Sequence, residues 1–173
     1  MNYPLNIFEP RYIQMVNDAL EQDVPIALSQ VDPSEEENAS KIIIAGFGMP
    51  QILQTRPDGS MVIVVKGMGK AQIEEVLSPE PYLTCRATEI VDCDTVSSEN
   101  EEAMARLRAR ANQWIKANIN DPDQRSMLEA GLLAPQRTLE TLAMLLIPDS
   151  DLRQVILEMH DVNQRIRLMK FLF

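Results

Sequence analysis

The spacing of apolar residues divides the chain into a β-rich first part and a helical second part. Up to about residue 95, short runs rich in Ile and Val alternate with turn residues, which is typical of β-strands. Beyond that point, apolar residues recur every three or four positions, which is typical of packed helices. The pattern predicts an α+β chain with a β-rich subdomain over residues 1–95 and a helical subdomain over residues 96–173.

The stretch PLNIFEPRY near the N-terminus predicts a short extended segment followed directly by a helix. Its prolines fix φ and lack an N–H, so the extended segment must stop before Pro10. Pro10 suits the first position of a helix, and the apolar residues that follow have helical spacing. We predict that Leu5, Ile7 and Phe8 point into the core of the first subdomain.

Several further apolar runs predict strands: VPIALSQV, KIIIAGF, MPQILQT, SMVIVVKG, AQIEEVL and YLTCRATEIV. Pro57-Asp58-Gly59 predicts a hairpin turn between two of them. The glycines of GFG and KGMGK predict bends or bulges where strands approach closely. Continuous apolar runs such as Val62–Val65 indicate strands covered on both faces, as in a small closed or nearly closed barrel.

The second part predicts a group of helices. Met104, Leu107, Ala111 and Ile115 form one apolar stripe. Prolines 122 and 135 are placed to begin two more helices, and the segment from Asp151 onward predicts a last helix with a long apolar seam. The seam is short for an intermolecular coiled coil, so it favours an internal bundle.

Composition and charge exclude several classes of function. A net charge of −10 disfavours nucleic acid, because such binding depends on Lys and Arg at phosphates. The two cysteines, Cys85 and Cys93, lack a metal-ligand or disulfide pattern and predict reduced thiols, which favours a cytoplasmic protein. No apolar run approaches the ~20 residues that cross a bilayer, and no basic region precedes an apolar stretch at the N-terminus. We therefore predict neither a membrane segment nor a targeting segment.

No catalytic constellation is evident in the sequence. Lys66-Gly67-Met68-Gly69-Lys70 lacks the upstream glycine and the following Ser or Thr of a phosphate loop, so a bend between strands explains it better. The single histidine, His160, has no nucleophile near it in the sequence. We predict no catalytic residue, no metal and no cofactor.

Several motifs together resemble the Lon substrate-binding domain, or LON domain, family. PLNIFEPRYIQMVNDAL is similar to the N-terminal signature of that family, and it is the most specific of the matches. GFGMPQI resembles its glycine-containing strand, PDG with MVIVVKGMGK its hairpin, PYL the element before its last strand, and LEMHDVNQRIRL its final helix. The resemblance extends over almost the whole chain.

Membership would imply a PUA-like β pseudo-barrel followed by an α-helical bundle, and binding of protein substrates or partners without catalysis. In Lon proteases the ATPase and the Ser-Lys peptidase follow this domain, so we expect a stand-alone member that is inactive alone. The family also implies a further apolar strand before PLNIFEPRY, where this sequence has only Met1-Asn2-Tyr3. A sheet without that strand would keep an edge that a peptide strand or a second copy of the chain could cover, making a homo-oligomer possible.

The resulting hypothesis is a recognition or adaptor domain for unfolded or apolar protein segments, or for a protease partner, linked to ATP-dependent proteolysis. The candidate contact residues are Met49, Pro50, Ile52 and Met68, with the alternative that all four are core or ordinary turn residues. An RNA-binding PUA-like module is a second hypothesis, opposed by the net charge. An enzyme of unknown type is a third, for which only His160 and scattered carboxylates are available.

Overall fold

The computed structural model describes residues 4–38 and 41–173 and confirms the α+β class. The chain divides into two compact units, Met1–Val91 and Asp92–Phe173. The first unit contains an antiparallel sheet and a long helix, and the second is built from helices. The position before PLNIFEPRY, where the family resemblance implies a further strand, lies outside the described residues.

Five described strands form one antiparallel sheet in the first unit. They are β1 (Leu5–Ile7), β2 (Ile26–Leu28), β3 (Ile43–Thr55), β4 (Met61–Ser78) and β5 (Thr84–Ile90). The strand order is β1-β4-β3-β2, and β5 also pairs with β4. Because β3 occupies one edge of β4, both β1 and β5 pair along its other edge. Among the described residues the sheet does not close on itself, because β2 pairs only with β3.

β3 and β4 are longer than the sequence analysis predicted. KIIIAGF and MPQILQT contribute to the single strand β3, and SMVIVVKG and AQIEEVL to the single strand β4. The ladder between them continues through the glycines by a register shift between Phe47 and Gly48. The predicted bulge is therefore confirmed. The prediction of separate strands before and after the bulge is wrong, because a bulge bends a strand without ending it.

The predicted hairpin turn between β3 and β4 is confirmed. The N–H of Arg56 donates to the carbonyl of Ser60 at 2.8 Å, and Gly59 adopts a left-handed φ of 83° that glycine tolerates. The carboxylate of Asp58 accepts hydrogen bonds from the hydroxyl and the N–H of Ser60, which hold the pKa of Asp58 below its usual value. Arg56 also donates to the side chain of Asn6 at 3.0 Å, which ties the turn to β1.

The core of the first unit lies between the sheet and α1 (Pro10–Gln22), which begins at proline as predicted. Its buried members come from α1 and two strands, β2 and β4: Val16, Ala19, Ile26, Met61 and Ile63. Leu5 and Ile7 pack against this cluster as predicted, but Phe8 is 71% exposed. The prediction for Phe8 is wrong because side chains alternate along an extended segment, so Phe8 faces away from Leu5 and Ile7.

Tyr82 links the segment before β5 to α1. Its hydroxyl donates to a carboxylate oxygen of Asp18 at 2.7 Å. This hydrogen bond raises the pKa of Tyr82 above its usual value, because it stabilises the neutral phenol and places a carboxylate beside it. The Pro-Tyr element therefore has a structural contact within the first unit.

The second unit contains five α-helices: α2 (Glu101–Asn118), α3 (Pro122–Gly131), α4 (Pro135–Leu146), α5 (Ser150–Glu158) and α6 (Val162–Leu172). The predicted α2 stripe is confirmed, because all four of its residues are buried in the core of this unit. α3 and α4 begin at the predicted prolines. No helix in the described part of the chain is long and apolar enough to cross a membrane.

The last predicted helix is divided into α5 and α6, so the prediction of one continuous helix is wrong. The carbonyl of His160 accepts from the N–H of Cys93 at 2.8 Å, and the N–H of Val162 donates to the carbonyl of Cys93 at 3.0 Å. This pairing holds the backbone extended at Asp161, between the two helices. Asp161 then caps α6 by accepting from the N–H of Asn163 at 2.9 Å.

A buried ion pair joins the start of the second unit to α6. The side chains of Asp92 and Arg165 contact each other and are 7% and 5% exposed. Arg165 also donates to the carbonyl of Met159 through Nε at 3.1 Å and Nη2 at 2.6 Å. A buried guanidinium with these partners helps to fix the turn between α5 and α6.

Candidate peptide-binding surface

A β-bulge places Met68 in solvent on β4. Phe47 of β3 pairs with Gly69, whereas the next residue, Gly48, pairs with Gly67, so Met68 has no partner in this ladder. Its side chain is 60% exposed, which is high for a large apolar residue within a strand. Bulges change the direction of a side chain and often occur near functional sites.

The bulge depends on the absence of a side chain at Gly48. A Cβ atom built there would lie 2.2 Å from the carbonyl oxygen of Lys66, a distance that real Cβ atoms do not show. By contrast, a Cβ built at Gly46 would meet nothing within 4 Å. Of these two glycines in β3, only Gly48 is therefore required by a close backbone approach.

Two other bulges also present leucines to solvent. Leu53 is skipped in the ladder of β3 with β4, and Leu77 is skipped in the ladder of β4 with β5. Both side chains are more than half exposed. The sequence analysis missed both leucines. Each follows another apolar residue in its strand, and neighbouring side chains in a strand point to opposite faces, so one of the two is exposed unless both faces of the sheet are covered.

The structure does not bring the four predicted contact residues to one surface. Ile52 packs against the core of the first unit, and Pro50, two positions earlier in β3, is buried. Met49 is half-buried opposite Lys66, on the other face of the strand from Pro50. Of these four residues, only Met68 has an exposed side chain.

Among the described strands, the pairing along one edge of β4 is interrupted beside Met68. Along the edge away from β3, β1 pairs with Met61–Ile63 and β5 pairs with Lys70–Ser78. No described strand pairs with Val64–Gly69 on this side, and we refer to this stretch as the open edge. It is roughly 20 Å long, and alternate residues point their N–H and C=O groups away from β3.

Charged side chains lie on and near the open edge, and there is space beside its backbone at Gly67. Lys66 is exposed on the strand itself. A Cβ built at Gly69 would lie 3.2 Å from two ring atoms of Phe47 and 3.4 Å from a carboxylate oxygen of Glu89, so Glu89 lies close to the β5 end. A Cβ at Gly67 would meet nothing within 4 Å, which leaves space beside the backbone there.

The candidate chemical groups named from the sequence lie apart from any metal-binding cluster in the described part of the chain. Within residues 4–38 and 41–173 no group of three or more His, Cys, Asp or Glu side chains could hold a metal ion. Both cysteines are free thiols, and burial raises the pKa of Cys85, which lowers its thiolate fraction. His160 has an exposed side chain, and its carbonyl serves the pairing with Cys93.

Comparison with solved structures places this architecture among Lon N-terminal domains. The chain superimposes on a Lon N-terminal domain protein from Xanthomonas campestris with a TM-score of 0.64 and 16% identity, covering 98% of this chain and 88% of that one. It superimposes on the N-terminal domain of the Lon protease of Mycobacterium avium complex with a TM-score of 0.66 and 17% identity, covering 98% and 87%. At these identities the likeness shows a shared fold.

Sequence comparison leads to the same family. The chain is 25% identical over 173 residues to the Lon protease of Xanthomonas oryzae pv. oryzae, covering 98% of this chain and 20% of that protein. It is 24% identical over 173 residues to the Lon protease of Escherichia coli K12, covering 98% and 22%. The chain thus spans about a fifth of the length of these relatives. The profile of the ATP-dependent protease La (LON) substrate-binding domain matches residues 1–172, and the chain belongs to that family.

Proposed function

We propose that this chain recognises unfolded, apolar segments of other proteins and performs no chemistry of its own. The observation that supports this most directly is Met68, a flexible apolar side chain placed in solvent by a bulge in β4. A methionine adapts to partners of different shape, which suits a surface that meets many sequences. The family description, a substrate-binding domain, supports the same function.

We also infer that the recognised segments are passed to ATP-dependent proteolysis. The relatives that the chain matches are Lon proteases, and the match covers about a fifth of each. A protease or an adaptor is therefore the expected partner. The chain itself should neither hydrolyse ATP nor degrade casein; activity that copurifies with the protein and is lost on substitution of His160 would contradict this part of the proposal.

Binding can be tested with one protein in two states. A fluorescently labelled protein that is kept unfolded by reduction and carboxymethylation should bind the chain, whereas its native, disulfide-bonded form should not. The measurement is fluorescence anisotropy over a titration with the chain. Equal anisotropy changes with both forms, or none with the unfolded form, would contradict recognition of unfolded segments.

Two matched variants test whether Met68 contributes. Burying a Met side chain is worth about 1.5–3 kcal/mol, so Met68→Asp should weaken binding roughly tenfold or more. Met127→Asp is the control, because Met127 is 78% exposed on α3 in the second unit and the substitution adds the same charge. Equal effects of the two variants would remove Met68 from the binding surface.

A further inference from the structure

We propose that Met68 is a site of reversible oxidation, and that its sulfoxide form binds unfolded protein segments less tightly than the thioether does. This rests on the proposed recognition of unfolded proteins and adds a chemical control of the same surface. It is supported by the position of Met68, whose side chain the bulge in β4 leaves 60% exposed. An oxidant must reach a thioether sulfur before it can react with it, and exposure provides that access.

Exposure separates Met68 from most other methionines of the chain. Among the described residues, the other exposed methionine is Met127, which is 78% exposed on α3 in the second unit. Three methionines are buried, none of them more than 3% exposed: Met61, Met104 and Met169. The remaining described methionines are half-buried: Met15, Met49, Met144 and Met159. A dissolved oxidant should therefore reach Met68 and Met127 first, and Met127 provides an internal standard away from the proposed binding surface.

The residues around Met68 provide little cover for its sulfur. Gly67 and Gly69 flank it, so the residues immediately before and after it have no side chains. Because Met68 has no partner in the ladder with β3, no side chain of that strand lies directly opposite it. The other two bulges present leucines, Leu53 and Leu77, which contain no sulfur. Of these three bulges, only the one at Met68 is therefore sensitive to this oxidation.

Hydrogen peroxide is the oxidant considered, and its reaction with Met68 needs no other reagent. A lone pair of the sulfur attacks one peroxide oxygen, so that an S–O bond forms while the O–O bond breaks. The sulfur loses two electrons, and the departing oxygen takes the proton of the transferred oxygen and leaves as water. Methionine sulfoxide reductase reverses the change: two thiols supply two electrons and become a disulfide, and the sulfoxide oxygen leaves as water.

A sulfoxide at Met68 should affect binding and leave the fold intact. In the free chain its oxygen is hydrated, because the side chain lies in solvent, whereas a sulfoxide at Met61 or Met104 would place a polar oxygen in a core. When a partner covers Met68, the sulfoxide oxygen must lose its water without an assured hydrogen-bond donor. We expect the affinity for the labelled carboxymethylated protein to fall roughly fivefold or more.

A time course of oxidation tests the proposal on the wild-type chain. The chain is treated with hydrogen peroxide, catalase removes the excess, and binding of the labelled carboxymethylated protein is measured by fluorescence anisotropy. Mass spectrometry of the same samples gives the sulfoxide fraction at each methionine. Met68 and Met127 should be oxidised well before Met61, and the affinity should fall in step with oxidation of Met68. Methionine sulfoxide reductase with dithiothreitol should restore binding, whereas dithiothreitol alone, which reduces disulfides, should not.

Two matched variants identify the methionine responsible. Met68→Leu keeps an apolar side chain at the bulge without a sulfur, and Met127→Leu removes the other exposed sulfur. Each variant is compared with itself before and after peroxide, so its own starting affinity does not enter the result. Met127→Leu should lose affinity as the wild type does, and Met68→Leu should not. Both variants keep Cys85 and Cys93, so oxidation of the thiols contributes equally to each.

The outcomes separate this proposal from the function on which it rests. If the untreated chain binds and peroxide weakens Met68→Leu as much as the wild type, recognition stands and the oxidation site is overturned. It is also overturned if Met68 is oxidised no faster than Met61, or if its full oxidation leaves the affinity unchanged. If Met68→Leu binds too weakly to measure, a wild-type affinity that does not follow the Met68 sulfoxide fraction overturns it. If the untreated chain does not bind the unfolded protein, both proposals are overturned.

Discussion

Replacing Gly48 by alanine should disturb both the stability of the first unit and the position of Met68. The added Cβ would lie 2.2 Å from the carbonyl oxygen and 2.7 Å from the carbonyl carbon of Lys66. These atoms belong to the backbone of β4, so they cannot move aside as a flexible side chain can. Overpacking of this kind costs about 1–3 kcal/mol in the free energy of unfolding. In a chain of this size each kcal/mol lowers the melting temperature by roughly 2–4 °C.

Gly46→Ala is the matched control, because Gly46 lies two positions earlier in the same strand and its Cβ would meet nothing within 4 Å. Gly46→Ala should change the free energy of unfolding by no more than about 0.5 kcal/mol. The assay is urea denaturation of both variants, followed by anisotropy with the labelled unfolded protein under native conditions. Gly48→Ala should also weaken binding, because relief of the clash shifts the bulge that carries Met68. If the two variants have the same stability, the close approach at Gly48 does not shape this ladder.

Four further substitutions, each measured by urea denaturation, test contacts within one or the other unit. Phe8→Ala should change the free energy of unfolding by no more than about 0.5 kcal/mol because Phe8 is exposed, whereas Ile63→Ala should cost about 2–5 kcal/mol because Ile63 is fully buried; equal costs would contradict this assignment. Asp92→Ala leaves the guanidinium of Arg165 buried without its carboxylate and should cost about 3–5 kcal/mol, and a cost near zero would show that the pair is solvated. Hydrogen bonds from the N–H and side chain of Asn163 lower the pKa of Asp161 below 3.8, so its stabilising contribution is full above that pH and is lost as the pH falls through the lowered pKa. The stability difference between wild type and Asp161→Ala should therefore shrink between about pH 6 and about pH 3, and a constant difference would contradict the linkage.

Where local rules act alone, the sequence predicted the fold well. Pro10 begins α1 and Gly59 occupies the hairpin turn, because each depends on the φ that its own residue adopts. The apolar stripe of α2 is buried as predicted, because helical spacing alone places those side chains on one face. The α+β class followed from the change from strand-like to helical spacing of apolar residues near residue 95.

The errors arise where distant residues decide the backbone conformation. The apolar seam near the C-terminus has helical spacing, but the backbone pairing of Cys93 with His160 and Val162 separates α5 from α6. The glycines of β3 and β4 resemble strand ends in the sequence, yet Gly48 permits a close approach that lets both strands continue. Neither contact leaves a signal within a local window of sequence.

The candidate surface was predictable only in part for the same reason. Met68 can be chosen from the sequence as a methionine between two glycines, whereas Leu53 and Leu77 become exposed only through register shifts. The open edge depends on strand order, because among the described strands neither β1 nor β5 pairs with Val64–Gly69. Strand order depends on pairings between residues far apart in the chain.

Hydrogen–deuterium exchange with and without the unfolded, carboxymethylated protein tests the central claim most directly. Met68 is exposed at the bulge of β4, so binding there should protect the backbone on either side of it. With saturating unfolded protein, exchange in a fragment spanning Val64–Gly69 should slow roughly tenfold or more, and Met68→Asp should reduce that protection at the same concentration. Protection that leaves Val64–Gly69 unchanged, or that appears only in the helices of the second unit, would contradict recognition at this surface.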